Sequence, residues 1–246
     1  MRDNVQAAAP RARTAIRQAG DGRARHRGLA LGLVLLAQLL VVIDVSIVTL
    51  ALPAIQRGLG FSAVGLQWVL SGYALAFGGF LLLGGRLADL LGRRKVLIAG
   101  AALFTTASLA CGLAGSAGLL VAARAVEGLG AAMMAPAALA LILAMFPEGP
   151  DRNKALGAFG AVSGAGGAIG VLAGGMLTTW LSWPWIFFVN LPVGALILAG
   201  ARPFPAGLLP DRASGAASTL SCIRFLPRFV PVGGTTCRQV QVPVLN

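Results

Sequence analysis

Three ionisable side chains lie inside apolar runs of the sequence, where an unpaired charge is costly. Asp44 lies eight residues before the end of the first run at Leu52, which is roughly 12 Å along a helix. Arg124 lies at a comparable depth in a later run, and Glu127 follows three residues on, near the same helix face. Charges within a membrane commonly pair and mark proton or substrate pathways. We predict that Asp44, Arg124 and Glu127 meet in a proton-handling or substrate-facing site; a purely structural ion pair is the alternative.

The elements that must position these side chains are apolar helices. The 246-residue sequence is 57% hydrophobic and 11% charged, with a mean hydropathy of +0.82, which is typical of a membrane protein. Pro53 is expected to end the first apolar run, and Pro136 and Pro192 are expected to kink two later ones. The sequence predicts an all-α membrane protein with a six-helix transmembrane bundle over residues 29–200. Its spans are predicted at residues 29–52, 66–83, 96–115, 119–144, 155–177 and 185–200.

The basic residues predict how this bundle is oriented. The net charge is +12, and eighteen of the twenty Lys and Arg residues fall in four polar segments, at residues 1–28, 84–95, 152–154 and 201–246. Loops rich in Lys and Arg stay on the cytoplasmic side, so both termini are predicted to be cytoplasmic in a multi-pass protein of the cell membrane. A nucleic-acid partner would require a continuous basic face with interleaved aromatic residues, which the sequence lacks. The expected partner of the surface is the lipid bilayer.

The two ends of the sequence are expected to lie outside the bundle. Residues 1–28 carry seven arginines without apolar periodicity and predict a disordered, Arg-rich cytoplasmic tail. Residues 201–246 hold six of the thirteen prolines and predict an irregular tail. We interpret this second tail as the product of a frameshift or a premature stop.

Metal binding and enzymatic chemistry find little support in the sequence. Cys111, Cys222 and Cys237 have neither the spacing of a metal site nor a pairable framework, and the single histidine, His26, lies in the Arg-rich tail. The glycine-rich fifth run fails the dinucleotide-binding template at Ile169 and follows no strand. We therefore predict a protein that is not an enzyme and uses neither a metal nor a cofactor.

Glycines in the fifth run predict close helix packing instead. Glycines four residues apart place bare backbone on one face of a helix, and a neighbouring helix can then approach closely. The residues concerned are Gly160, Gly164, Gly166, Gly170 and Gly174.

Four motifs resemble those of the major facilitator superfamily, and in particular its fourteen-helix drug:proton antiporters of the EmrB/QacA type. They are the segment Asp44–Pro53 in the first run, Gln67-Trp68 with Tyr73 in the second, Gly85–Lys95 between the second and third, and Arg124–Gly130 in the fourth. The glycine-rich fifth run also resembles the antiporter signature of the family. The sequence departs from these patterns at Thr49, Leu90 and Glu127, and at Val171 in the fifth run, where the family commonly has Asn, Arg, Gln and Pro. The resemblance covers roughly residues 30–200 and implies export of a small molecule in exchange for protons, with Arg124 implicated in proton transfer.

The same resemblance gives a role to the polar stretch Gly84–Lys95, GGRLADLLGRRK. We expect it to form the cytoplasmic turn between the second and third helices. Asp89 can accept from backbone N–H groups or pair with a cation, and so hold one conformer. We predict a conformational latch, with a plain solvated turn as the alternative. The latch consists of Gly85, Arg86, Asp89, Gly92, Arg93 and Arg94.

Three functions remain open at this point. The first is proton-coupled efflux of small amphipathic compounds by what resembles the N-terminal half of a transporter. The second is a membrane fragment of a disrupted transporter gene that does not transport. The third is a half-size transporter that acts as a homodimer, since secondary transporters bind substrate between two repeats.

Overall fold

The computed structural model describes residues 3–201, with side chains from residue 27 onward, and this part of the chain is helical without a strand. Five helices are long and apolar enough to cross a membrane, and a shorter apolar segment follows at Trp185–Ala201. The predicted all-α membrane fold is therefore confirmed. Of the irregular tail predicted at residues 201–246, Ala201 ends the last helix and residues 202–246 lie outside the described residues. The helices are α1 (Asp3–Leu59), α2 (Ala63–Leu91), α3 (Arg93–Gly112), α4 (Ala117–Met145), α5 (Pro150–Trp180), α6 (Trp185–Phe188) and α7 (Asn190–Ala201).

Helix α1 extends beyond the predicted first span at both ends. It begins at Asp3, whereas the sequence predicted a disordered tail over residues 1–28. Alanine and arginine favour helix, and adding turns to an existing helix avoids the cost of nucleation. The prediction that Pro53 ends the helix is wrong, since α1 continues to Leu59. A proline removes one backbone hydrogen bond, and membrane helices tolerate this loss where the neighbouring turns persist.

The sixth apolar segment is broken into α6 and α7 at Val189. Pro192 explains the position of the break, because it has no N–H to donate to the carbonyl of Phe188 four residues earlier. The break places Asn190, a buried polar residue, at the start of α7. Pro136, by contrast, lies within α4, which is continuous from Ala117 to Met145.

The turn between α2 and α3 is shorter than predicted. Only Gly92 separates the two helices, and it adopts φ +95°, a left-handed conformation that favours glycine. The polar stretch 84–95 is therefore mainly helical, forming the last turns of α2 and the first turn of α3, rather than a twelve-residue loop.

Helix α4 lies at the centre of the bundle and packs against α1, α2 and α3. Two glycines allow these close contacts. A Cβ at Gly128 would lie 2.5 Å from the carbonyl oxygen of Tyr73 on α2, and one at Gly130 would lie 2.6 Å from the backbone nitrogen of Phe104 on α3. The backbones of α2 and α3 thus approach the face of α4 that carries Arg124 and Glu127. Helix α5 packs along α1.

Candidate functional site

The three predicted intramembrane charges meet in the interior of the bundle. One nitrogen of Arg124, Nη1, lies 2.7 Å from Asp44 Oδ2 on α1 and 2.7 Å from Glu127 Oε2 on α4. All three side chains are fully buried within the described residues. Such a pair of charge-assisted hydrogen bonds offsets part of the cost of moving the charges out of water.

A second, uncharged connection joins the two carboxylates from the other side. Asn190 Nδ2 donates to Asp44 Oδ1 at 3.0 Å and to Ser108 Oγ at 2.9 Å. The hydroxyl of Ser108 in turn donates to Glu127 Oε1. Asp44, Arg124, Glu127, Ser108 and Asn190 therefore form a closed hydrogen-bonded circuit, which we call the polar ring. It joins α1, α3, α4 and α7.

The surroundings of Arg124 favour its positive charge. The guanidinium carbon lies 4.4 Å from the centre of the Tyr73 ring and 5.9 Å from that of Phe187, so the cation rests against two aromatic faces. Its Nε donates to the carbonyl oxygen of Val69 at 3.4 Å. The thiol of Cys111 lies 3.6 Å from Glu127 Oε2 and completes the wall beside that carboxylate.

Sequence reasoning missed the two uncharged members of the polar ring. Ser108 gave no signal, because serine is frequent in membrane helices and often bonds only to its own backbone. Asn190 gave a weak one, since an amide in an otherwise apolar run is costly to bury without a partner. Its position two residues before Pro192 also points to a helix break that brings it towards the interior.

The charges of the ring determine what it can do. Two carboxylates face one guanidinium, so the ring carries a net charge of −1 when all three groups are ionised. A buried site of this kind becomes neutral on taking up one proton. In the part of the chain that the structure describes, no group of three or more His, Cys, Asp or Glu side chains is arranged to hold a metal ion.

The predicted latch residues connect α2 and α3 to two other helices. Asp89 lies 3.8 Å from Arg93 Nη2, one turn along, and is two-thirds exposed. Arg93 Nη1 donates to the carbonyl of Ala140 on α4 at 2.9 Å, and Arg94 Nη2 donates to the carbonyl of Ala201 at the end of α7 at 2.6 Å. Gly85 lies beside Pro136 of α4, Arg86 is exposed, and Gly92 makes the turn. The region is thus tied to the bundle through its arginines rather than through Asp89.

The close contact predicted for five glycines of α5 is present at three of them. A Cβ at Gly166, Gly170 or Gly174 would lie 3.1 Å or less from atoms of α1, including the backbone oxygens of Ile43 and Ile47. Gly160 and Gly164 have no described neighbour within 4 Å of such a Cβ. The glycine contacts with α1 therefore lie in the later part of α5, from Gly166 onward.

Comparison with known proteins decides the family. The model of the Major Facilitator Superfamily matches residues 34–228. The chain belongs to this superfamily. Its members are transporters, so the prediction that the chain is not an enzyme is confirmed. The match continues beyond residue 200 and includes part of the tail that was interpreted as the product of a frameshift or a premature stop.

Several curated relatives within the superfamily are named for drug resistance or export. The chain is 51% identical over 195 residues to the puromycin resistance protein pur8 of Streptomyces alboniger, covering 79% of this chain and 38% of the relative. It is 48% identical over 185 residues to the cephamycin export protein CmcT of Amycolatopsis lactamdurans, covering 72% of this chain and 38% of the relative. The chain thus spans less than half of the length of these relatives, which are proteins of the bacterial cell membrane by their family.

Solved structures of the superfamily share the fold. The inward-open xylose transporter XylE of E. coli superposes with a TM-score of 0.65 at 16% sequence identity, over 79% of this chain and 53% of the transporter. A peptide transporter POT gives the same TM-score at 18% identity, over 79% of this chain and 44% of that one. These neighbours confirm the six-segment helical bundle as a superfamily fold.

Proposed function

We propose that this chain forms the N-terminal half of a proton-coupled exporter of small amphipathic compounds, and that the polar ring is its proton-binding site. The observation that carries the proposal is the excess of one carboxylate in a fully buried ring. A site of this kind exists in two charge states that differ by one proton. The proton can bias the arrangement of the four helices that the ring joins if the two charge states differ in stability between arrangements.

The class of substrate is proposed from the relatives. Two of them carry the names of puromycin and cephamycin, and a third, from Streptomyces lincolnensis, is a lincomycin resistance protein that is 42% identical over 188 residues. The names support antibiotics or similar small compounds as cargo of the complete transporter. Apolar walls and few polar groups are typical of sites for such ligands.

Transport by inverted membrane vesicles that contain this chain tests the proposal. We expect vesicles with an acidic lumen to accumulate radiolabelled puromycin, and a protonophore to abolish the accumulation. Asp44→Asn is expected to reduce it to the level of empty vesicles, because it removes the carboxylate that links α1 to Arg124 and leaves a ring without excess negative charge.

Asp151→Asn is the matched control, because Asp151 is exposed at the start of α5 and lies 3.9 Å from the equally exposed Lys154. This variant is expected to transport like the parent. Accumulation that does not depend on the proton gradient would contradict the coupling. A correctly inserted chain that accumulates nothing would favour the alternative of a fragment that does not transport alone.

A further inference from the structure

We propose that Glu127 is the member of the polar ring that carries the proton, while Asp44 stays ionised throughout, and that Ser108 and Asn190 are the positioning residues that impose this difference. The inference rests on the proposed function, since it assigns the proton within the same site. It is based on whether the hydrogen-bond partners of each carboxylate can only donate or can also accept.

Asp44 is held by donors that cannot become acceptors. Its Oδ2 faces Arg124 Nη1 at 2.7 Å, and its Oδ1 faces Asn190 Nδ2 at 3.0 Å. A guanidinium and an amide N–H group donate only. A proton on either oxygen of Asp44 would therefore find no acceptor in these two partners, and the protonated form would hold an unpaired donor.

Rotation of the Asn190 amide does not relieve this restriction. The same Nδ2 also donates to Ser108 Oγ, so a flipped amide would lose that bond even if its oxygen accepted a proton from Asp44, because the Ser108 hydrogen is directed at Glu127. The observed orientation leaves Asn190 Oδ1 buried without a hydrogen-bond partner among the described residues. An orientation that leaves this oxygen unpaired is favoured when the opposing Asp44 is an anion, because an amide oxygen facing it would be repelled.

Glu127 has one partner that can serve either charge state. Its Oε2 faces Arg124 Nη1 at 2.7 Å, whereas its Oε1 is bound by the hydroxyl of Ser108. A hydroxyl donates one hydrogen and accepts through two lone pairs. Ser108 can donate to the ionised Glu127, or accept from the protonated Glu127 while it still accepts from Asn190. Its own hydrogen then turns to a carbonyl one turn earlier on α3, the kind of bond that Thr105 makes to Ala101 at 2.7 Å.

The other groups around the ring leave this assignment intact. Glu127 is contacted by Cys111 from α3 and by Arg124 from its own helix. Arg124 in turn contacts Asp44 from α1 and Tyr73 from α2, while Asn190 of α7 is uncharged. Tyrosine and cysteine are ordinarily neutral at physiological pH. One proton on Glu127 therefore leaves Asp44 and Arg124 as a neutral ion pair and finds an acceptor in the Ser108 hydroxyl, while Arg124 Nη2 stays without a hydrogen-bond partner among the described residues.

The sequence allows a direct test, because Glu127 and Glu148 are its two glutamates. Glu148 is 93% exposed, so Glu148→Gln leaves the site intact and makes Glu127 the single glutamate. The Glu148→Gln protein is prepared with carbon-13 at the glutamate side-chain carboxyl, placed in lipid nanodiscs at neutral pH and examined by NMR. A second sample is labelled at the aspartate carboxyls, and its comparison with Asp44→Asn identifies the signal of Asp44.

As the pH is varied around neutrality, we expect the Glu127 carbon to pass between the chemical shifts of a carboxylate and a protonated acid while the Asp44 carbon keeps that of a carboxylate. Protonation of Asp44 at a higher pH than Glu127, or of both at the same pH, would overturn the proposal. Ser108→Ala with the same label provides the test of positioning. It should change the pH at which the Glu127 signal shifts, whereas Ser163→Ala on α5, outside the ring, should not. An unchanged titration in Ser108→Ala would contradict the role of the hydroxyl.

This experiment requires no transport, so it separates the two proposals. A proton on Glu127 in a protein that shows no gradient-driven accumulation would leave the assignment standing and remove the export function. Gradient-driven accumulation with a proton on Asp44 would leave the export function standing and overturn the assignment to Glu127.

Discussion

At the scale of single residues, Arg124 allows two carboxylates to be buried together. Its one nitrogen serves both Asp44 and Glu127, and its guanidinium rests on the ring of Tyr73. Removing one partner of a buried ion pair leaves an uncompensated charge, which typically costs about 3–5 kcal/mol. We expect Arg124→Met to lower the free energy of unfolding by this amount, measured by denaturation of the purified protein in detergent.

The stability lost through the uncompensated carboxylates can be separated from the stability lost by removing the arginine side chain. Adding Asp44→Asn and Glu127→Gln to Arg124→Met removes the uncompensated charges, and we expect most of the stability to return. Arg152→Gln is the surface control, because its partner Glu148 is exposed and lies 3.4 Å away; its effect should stay below about 1 kcal/mol. A triple variant as unstable as Arg124→Met alone would refute the electrostatic explanation.

The sequence predicted the charged members of the site, because an ionisable residue in an apolar run requires a partner. Spacing alone placed Arg124 and Glu127 on one helix face, and depth placed Asp44 opposite them. The sequence could not predict that Ser108 and Asn190 belong to the polar ring. A serine in a membrane helix has partners within its own helix, and the contribution of Asn190 depends on a helix break whose consequence is tertiary.

At the scale of helices, Gly84 of α2 packs against the backbone of α4 at Ala132, one turn before Pro136. Pro136 has no N–H, so the carbonyl of Ala132 lacks the donor that an α-helix would supply. A Cβ at Gly84 would overlap this carbonyl oxygen and lie 3.2 Å from Cα of Met133. The glycine thus allows α2 to approach the carbonyl that the proline leaves free, where a Cα–H can contact the oxygen.

We expect Gly84→Ala to destabilise the bundle, because the new methyl group meets backbone that cannot move aside. Overpacking of this kind costs about 1–3 kcal/mol, and thermal unfolding in detergent measures it. Gly78→Ala on the same helix is the matched control, since a Cβ there has no described neighbour within 4 Å. It should be neutral or stabilising by up to about 1 kcal/mol. Equal effects of the two substitutions would show that the contact contributes nothing.

The helices themselves were predictable from hydropathy, and their ends were not. Each long apolar run became a helix, because backbone groups in lipid must be satisfied within the segment. For the same reason α1 continued through Pro53, whose single missing bond is less costly than a helix end. The length of the turn at Gly92 was overestimated, because the polar residues at the end of α2 and the start of α3 resemble a loop in sequence.

At the scale of the whole molecule, Asp89 is a predicted latch residue with a weak contact in this chain. Within this chain, Asp89 has an exposed side chain and a 3.8 Å contact with Arg93. An exposed pair of this kind contributes about 0–1 kcal/mol. Arg93 and Arg94 hold the region to α4 and α7 through backbone carbonyls, and these bonds do not require Asp89.

Because the bonds from Arg93 and Arg94 to backbone carbonyls do not involve Asp89, an effect of its substitution on transport can be distinguished from an effect on stability. We expect Asp89→Asn to unfold at the same denaturant concentration as the parent, because it removes a weak, solvent-exposed pair. We also expect it to reduce gradient-driven puromycin accumulation several-fold, because a latch acts on the conformational change of transport and not on the stability of this half. Vesicle transport and denaturation of the same preparation provide the two measurements. Asp151→Asn, which removes another exposed carboxylate, should leave both unchanged. Full transport by Asp89→Asn would favour the plain solvated turn, since a carboxylate that neither stabilises the bundle nor affects transport has no role in a latch.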